Sequence, residues 1–343
     1  MQKGGSSMRI TTRMMTNKYK RSLNELSASV NQLNEKVSSG RSFSKASENT
    51  SAAISAFQIR RNLSRLESYQ SNISYASDLL RNAETALMEV NSVAKEASTK
   101  ILQGINGSNS DSDRAIIAQE IKSLKDQLLQ SLNSNSGGTY YFGGTQTDSS
   151  PFKDVGGKLT YKGVDLDTLV SGSAEEQALL GDARYIDIGL SLQFDPLQPT
   201  KLDSSTAFNI ALPGIKFVGS GTTTVDGQVL SNNLYNLLDQ ISVGLADPNY
   251  SSDQMDALLS HFQTQSDKVL VTVTEIGSKS SYLDFMTNRL DSESLNMQER
   301  QSEIEYADPA KTIIDFKSQE MAYEAALAMG AKVIQPSIFD YIR

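Results

Sequence analysis

The chain of 343 residues has no cysteine, no tryptophan and a single histidine, His261. Without cysteine there is no disulfide, no thiolate metal ligand, no thiol nucleophile and no dithiol redox chemistry. A histidine-rich metal centre or a Ser-His-Asp relay would have to rest on His261 alone. No apolar run approaches the ~18 residues that span a membrane. The opening Met1-Gln2-Lys3-Gly4-Gly5-Ser6-Ser7 lacks the apolar stretch of a secretory leader, so passage out of the cytoplasm is expected to bypass that route. Charge is mildly acidic, with 32 Lys+Arg against 40 Asp+Glu for a net of −8.

Proline and glycine are scarce in some stretches and crowded in another. None of the 7 prolines precedes Pro151, whereas 14 of the 22 glycines lie between Gly137 and Gly227. That same stretch carries Lys158-Leu159-Thr160-Tyr161-Lys162 and Tyr185-Ile186-Asp187-Ile188, alternating runs bounded by turn residues, which read as short strands. Long helices are confined to the two ends.

The end segments carry countable helical periods. Met15, Tyr19, Leu23, Leu26, Val30, Leu33 and Val37 alternate steps of three and four, the spacing of a coiled-coil seam, and stop at Ser38-Ser39-Gly40. A second seam runs Leu66, Tyr69, Ile73, Ala76, Leu80, Ala83, Leu87, Val90, Ala94, Ala97 and Ile101, in a helix expected from about Thr50 to Gly104. A shorter helix is expected from Ser112 to Leu132. Toward the C-terminus, Leu259, Phe262, Val269, Val273, Ile276, Leu283 and Leu290 mark a helix from about Asp253 to Glu305 that Asp308-Pro309 breaks, and a last helix is expected from Ala310 to Ile334, before Pro336. The two long helices would each reach roughly 80 Å at ~1.5 Å per residue.

Matched lengths in mirror order predict a mainly α fold with a β-rich insertion. It would be a nested antiparallel coiled-coil rod formed by the N- and C-terminal regions, around a central β domain. The expected domains are 8–46 with 308–343 (terminal helices, disordered in the monomer), 47–150 with 232–307 (long-helix rod), and 151–231 (outer β-rich domain). The last helix is apolar on more than one face: Ile313, Phe316, Tyr323, Leu327 and Ile334 form one stripe, and Ala322, Ala326, Met329 and Val333 another. A lone helix pair would leave one of these in water, which soluble monomers avoid. The expected assembly interface is therefore Leu23, Leu26, Val30, Leu33 and Val37 on the first helix, with Ile313, Phe316, Tyr323, Leu327, Ile334 and Phe339 at the other end.

Met8 to Ala46 holds eight basic residues against Glu25 and Glu35. Because these charges alternate with a seam and carry no aromatic stacking set, they read as a solvated or inter-subunit helix face, and neither a nucleic-acid partner nor a membrane is expected.

Three motifs carry a family resemblance. Val37-Ser38-Ser39-Gly40-Arg41, preceded by Asn31-Gln32-Leu33, resembles the close of the first helix in the flagellin family, and Ile334 to Arg343 is similar to that family's C-terminus. Tyr140-Tyr141-Phe142-Gly143-Gly144-Thr145-Gln146-Thr147-Asp148, followed by Pro151-Phe152, resembles the members of the family found at the hook-filament junction. One departure is Lys45-Ala46-Ser47-Glu48-Asn49, where the family usually carries paired acids. The resemblance implies an extracellular structural protein of the bacterial flagellum, exported by the flagellar type III system. It implies a homo-oligomeric ring on the distal hook, between a neighbouring hook-associated junction protein and flagellin or other filament-side subunits. A cytoplasmic export chaperone would hold the C-terminal helix beforehand. A minor filament flagellin, or more distantly a coiled-coil surface adhesin, is the alternative.

No catalytic, cofactor-binding or metal constellation is expected. His261 lies on a long helix in Leu258-Leu259-Ser260-His261-Phe262, the setting of a structural histidine. Gly219-Ser220-Gly221 and Gly277-Ser278-Lys279-Ser280 lack the ending of a phosphate loop. Glu299, Glu303 and Glu305 could in principle pair for acid-base work, but on a periodic helix they read as its solvated face. Tyr140-Tyr141-Phe142 beside Gly143-Gly144 reads as a hairpin strand whose rings pack on the helices.

Overall fold

The computed structural model describes residues 12–333 apart from 107–108, 197, 204, 226 and 250. It has long helices at both ends: α1 (Thr12–Ser39), α2 (Thr50–Ile105) and α3 (Asp111–Leu132) before the insertion, and α7 (Ser252–Glu305) and α8 (Pro309–Val333) after it. Between them lie α4 (Ala174–Leu180), α5 (Ile215–Val218) and α6 (Leu234–Ala246). The mainly α, nested arrangement with a central region of small sheets is the one read from the periodicity. Packing divides the chain into two units, Met1–Arg65 with Ser292–Arg343, and Leu66–Asp291.

In the central unit the α2 seam is its spine. Every seam position from Leu66 to Ile101 is buried except Tyr69, which is half-buried. On α7, Phe262, Val269, Ile276, Leu283 and Leu290 are each at most 1% exposed. Gln70 Nε2 donates to Asp291 Oδ1 at 2.7 Å, and farther along Leu87 and Ile276 line one cavity, so α2 and α7 run antiparallel. Helix α3 begins with a capping box, in which Ser110 and Asp113 satisfy each other's backbone amides, and it packs on α6. Sequence periodicity did not single out α6, a 13-residue helix with Leu234, Leu237, Leu238, Ile241 and Leu245 all buried.

The strands are short and held by turns. β1 (Asn135–Ser136) pairs antiparallel with β2 (Thr139–Tyr140). β3 (Phe152–Val155), β4 (Lys158–Tyr161) and β5 (Val164–Asp165) form an antiparallel meander. Its first turn is Gly156-Gly157, with φ of +65° and +85°, the two positive angles that a tight I′ hairpin demands. β6 (Tyr185–Ile186) pairs with β9 (Phe208–Asn209), β7 (Phe194–Asp195) with β8 (Gln198–Leu202), and β10 (Thr222–Val225) with β11 (Gln228–Ser231).

Such short ladders cannot hold a domain alone, and a polar knot joins them to the helices. The Asp167 carboxylate, in the turn Leu166–Thr168, accepts from Asn233 Nδ2 and Asn236 Nδ2, both at 2.7 Å, and from the Ser231 hydroxyl. Asn236 Oδ1 in turn accepts the Leu159 amide at 3.0 Å, and Asn233 Oδ1 caps α6. Ser231, Asn233 and Asn236 are all buried, so their donors have few other partners. A second knot is centred on His261, whose Nε2 lies 3.1 Å from both the Ser231 carbonyl and Asn232 Oδ1. Burial pushes the His261 pKa down from its ordinary value, as expected for a neutral structural histidine.

Asp167→Ala strands three buried donors. It is expected to cost on the order of 3 kcal/mol and to lower the central unit's thermal midpoint by roughly 6–12 °C, read by circular dichroism; an unchanged midpoint would show that the knot is not structural.

Candidate assembly surfaces

Within the terminal unit, α1 and α8 pack against each other as an antiparallel pair. Tyr19 of α1 donates its hydroxyl to the Ala326 carbonyl of α8 at 3.0 Å. At the opposite end Val37 and Ile313 line one small crevice. The Tyr19 contact depends on Gly330, where a Cβ would overlap the Tyr19 hydroxyl and ring. Sequence reasoning passed over Gly330, although an isolated glycine inside a helical pattern is a sign of close packing.

A helix with one neighbour can bury one face only, and the burial pattern shows it. From Met14 to Ser39 no side chain of α1 is buried: Leu23, Leu26, Val30 and Leu33 are half-buried, and Val37 is exposed. On α8, Phe316 and Tyr323 are half-buried while Ile313 and Leu327 stay exposed, as do Ile314, Met321 and Met329. The inward face of α8 therefore draws on both stripes read from the sequence, with Phe316 and Tyr323 from one and Ala326 from the other. Ile334 and Phe339 lie outside the described residues, as do Met8 to Thr11 and the C-terminal motif. Met14, Met15, Leu23, Leu26, Ala326 and Met329 line an open, largely apolar groove of about 960 Å³ along the pair.

The pair joins α2 and α7 through two crossings that are tied to each other. Gly40, with φ +68°, ends α1, and its carbonyl accepts the Ala307 amide at 3.0 Å, while the Ser42 amide donates to the Glu305 carbonyl at 2.8 Å. Asp308 then caps α8 by accepting the Ala310 and Lys311 amides. In the departing Lys45–Asn49 stretch, Glu48 accepts the Ser44 amide and Asn49 caps α2 through the Ala52 amide. The crossings are pinned by Arg60, whose Nε and Nη2 donate to the two Glu305 carboxylate oxygens at 2.7 and 2.5 Å. Glu305 is buried, and the Arg60 hydrogen bonds hold its pKa below the ordinary value of 4.5, against burial, with Gln301 and Arg41 helping.

The aromatic-glycine motif lies in the central unit. Only its first residue belongs to a strand, in β2. Phe142 is fully buried, edge-on to Phe217 of α5 with ring centroids 4.9 Å apart, and its carbonyl accepts the Gly214 amide at 2.9 Å and the Tyr161 hydroxyl at 3.0 Å. A Cβ on Gly143 would collide with the Gln146 carbonyl, and one on Gly144 with the Asp182 side chain. Asp182 accepts the Thr145 amide and hydroxyl and pairs with Lys162. Each motif residue from Phe142 to Thr145 thus has a structural task. Among the described residues there is no group of three His, Cys, Asp or Glu side chains placed to hold a metal ion, and no helix long and apolar enough to cross a membrane.

Residues 10–147 match the bacterial flagellin N-terminal helical region. Flagellar hook-associated protein 3 of Escherichia coli is 24% identical over 93% of this chain and 95% of its own length. The Salmonella typhimurium protein of the same name is 30% identical over 44% of this chain and 48% of its own. The solved structure of a flagellar hook-associated protein from Vibrio parahaemolyticus shares the fold, with a TM-score of 0.60 at 22% identity, over 76% of this chain and all of the other. The chain thus resembles the flagellin family, as its motifs implied. Within that family it resembles flagellar hook-associated protein 3.

Gly→Ala inside a helix ordinarily stabilises by about 1 kcal/mol, but Gly330→Ala is expected to loosen the α1–α8 pair by expelling Tyr19, seen as faster amide exchange in α1; slower exchange would refute the packing role. For Glu305, whose folded pKa is depressed, the stabilisation is present above 4.5 and is lost as pH falls through the lower folded value. Glu305→Gln should therefore remove the acid-side part of the terminal unit's pH dependence, measured as amide exchange of α8 between about pH 3 and 6, and a wild-type profile in the variant would contradict the assignment.

Proposed function

We propose that the chain is a structural component of the bacterial flagellum, a junction protein connecting the hook to the filament, and not an enzyme. The observation that carries the reading is the terminal pair, in which α1 buries none of its described side chains while apolar residues line its open groove. Such a pair gains its order from neighbouring subunits. Likeness to a hook-associated protein along nearly the whole chain supports the junction position.

In the finer reading, copies form a ring on the distal hook, with a neighbouring hook-associated protein on one side and filament subunits on the other. The chain reaches that place through the flagellar type III route, with a cytoplasmic chaperone covering the C-terminal helix beforehand. The interface comprises Leu23, Leu26, Val30, Leu33 and Val37 with Ile313, Phe316, Tyr323, Leu327, Ile334 and Phe339. Residues 8–46 with 308–343 act as the assembly domain, 47–150 with 232–307 as the long-helix domain, and 151–231 as the outward domain. Absence of cysteine suits a chain that passes unfolded between compartments of different redox poise.

The match to the flagellin N-terminal region also supports a second reading, that of a minor filament subunit. Immunogold electron microscopy separates the two. The junction reading expects one narrow band at the hook end, and deletion should leave hooks without filaments and flagellin shed into the medium. Label along the whole filament, or filaments that persist without the chain, would refute it.

A further inference from the structure

Within the terminal unit, the start of α2 and the end of α7 each present a strip to solvent that their own partner does not use. On α2, Ile54, Phe57, Arg61 and Arg65 fall within about 80° of arc at 3.6 residues per turn. All four are exposed, Phe57 by 71%, while buried Ala56 and Ile59 occupy the opposite face. On α7, Leu295, Glu299 and Glu303 occupy a similar arc, all exposed, opposite half-buried Met297, Gln301 and Ile304. Among the described residues, Arg61, Arg65, Glu299 and Glu303 form no ion pair within the chain, in contrast to Arg60 and Glu305 beside them. Each strip also places two like charges four residues apart on one helix, an arrangement that weakens an isolated helix.

The two strips match in sign and in level. Arg60 meets Glu305, and the helices run antiparallel, so Arg61 lies within one residue of the level of Glu303, and Arg65 within one residue of Glu299. One residue is about 1.5 Å along the axis. Because each strip faces away from its own helix partner, the two cannot meet inside one chain. A second copy set alongside, with its axis parallel and without a large axial shift, brings the basic strip of one against the acidic strip of the next.

We propose that these strips form a heterologous side-to-side contact between copies of this chain, pairing Arg61 with Glu303 and Arg65 with Glu299 of the neighbour, and flanked by Ile54, Phe57 and Leu295. A contact of this kind uses two different surfaces, so it repeats from copy to copy and does not stop at a dimer. The inference rests on the proposed assembly of this chain in the flagellum and names the surfaces through which it occurs.

The absence of native cysteine makes the test direct. The full chain carrying both Arg65→Cys and Glu299→Cys replaces the native one in cells, and isolated appendages are oxidised and run without reductant. A ladder of covalent oligomers is expected from the double variant, with no cross-link from either single variant. Charge reversal supplies a second arm. Arg61→Glu with Arg65→Glu in one chain, or Glu299→Lys with Glu303→Lys in another, should each lower the chain's recovery in appendages at least tenfold, and co-expression of the two should restore it. Cross-linked dimers from Arg65→Cys alone, or chain present in appendages without any ladder, would overturn this contact and leave the junction reading standing. A chain absent from appendages even as wild type would overturn both.

Discussion

Burial along one helix governs how the chain is organised. Between Leu66 and Ile101 the α2 stripe is sealed but for half-buried Tyr69, and just beyond it Gly104 lies against Leu245 of α6 and Ile117 of α3. Burial of such a stripe is favourable at ~25 cal/mol per Å² of apolar area removed from water, and the short ladders of the insertion are held by glycine turns and polar knots. In the terminal unit the helices lack this surplus of neighbours. α1 and α8 meet along one face, and the other remains in water. One chain therefore contains a unit that satisfies itself and a unit with apolar faces still open to water.

The polar groups of the central unit follow the same division. The polar groups of the central unit that resemble catalytic pieces are spent on structure. Asp167 gathers Ser231, Asn233 and Asn236, and His261 holds the Ser231 carbonyl. Asp182 is occupied by Thr145 and Lys162. Groups so saturated have little capacity left for a substrate, and the features open to a partner are helix faces.

The helices were legible in the sequence because long periodic stripes accumulate evidence turn by turn, and because Gly40 and Asp308-Pro309 punctuate them unambiguously. The placement of proline and glycine located the insertion for the same reason. Helix α6 was legible in principle, since Leu234, Leu237, Leu238, Ile241 and Leu245 share one helical face, but its 13 residues follow directly on the short strands of the insertion and offer few turns of that pattern. The sheets of the insertion were legible only as strand candidates, because two-residue pairings such as Tyr185–Ile186 with Phe208–Asn209 are set by side-chain bonds from distant residues rather than by local pattern. Among the surface residues, the apolar stripes of α1 and α8 were visible. Their division into inward and outward positions was not, since it is decided by the close approach at Gly330.

The two chain crossings near Gly40 and Glu305 have a mechanical meaning. Their backbone bonds, Gly40 to Ala307 and Ser42 to Glu305, tie the strand that leaves α1 to the strand that enters α8, and the Arg60 fork clamps the same spot. Neither crossing is free to peel on its own. A pull on either terminal helix loads both bonds and the fork together, in the manner of a shear joint, and a torque applied to one strand is passed to the other within a single residue's length. Such a joint carries load without opening stepwise.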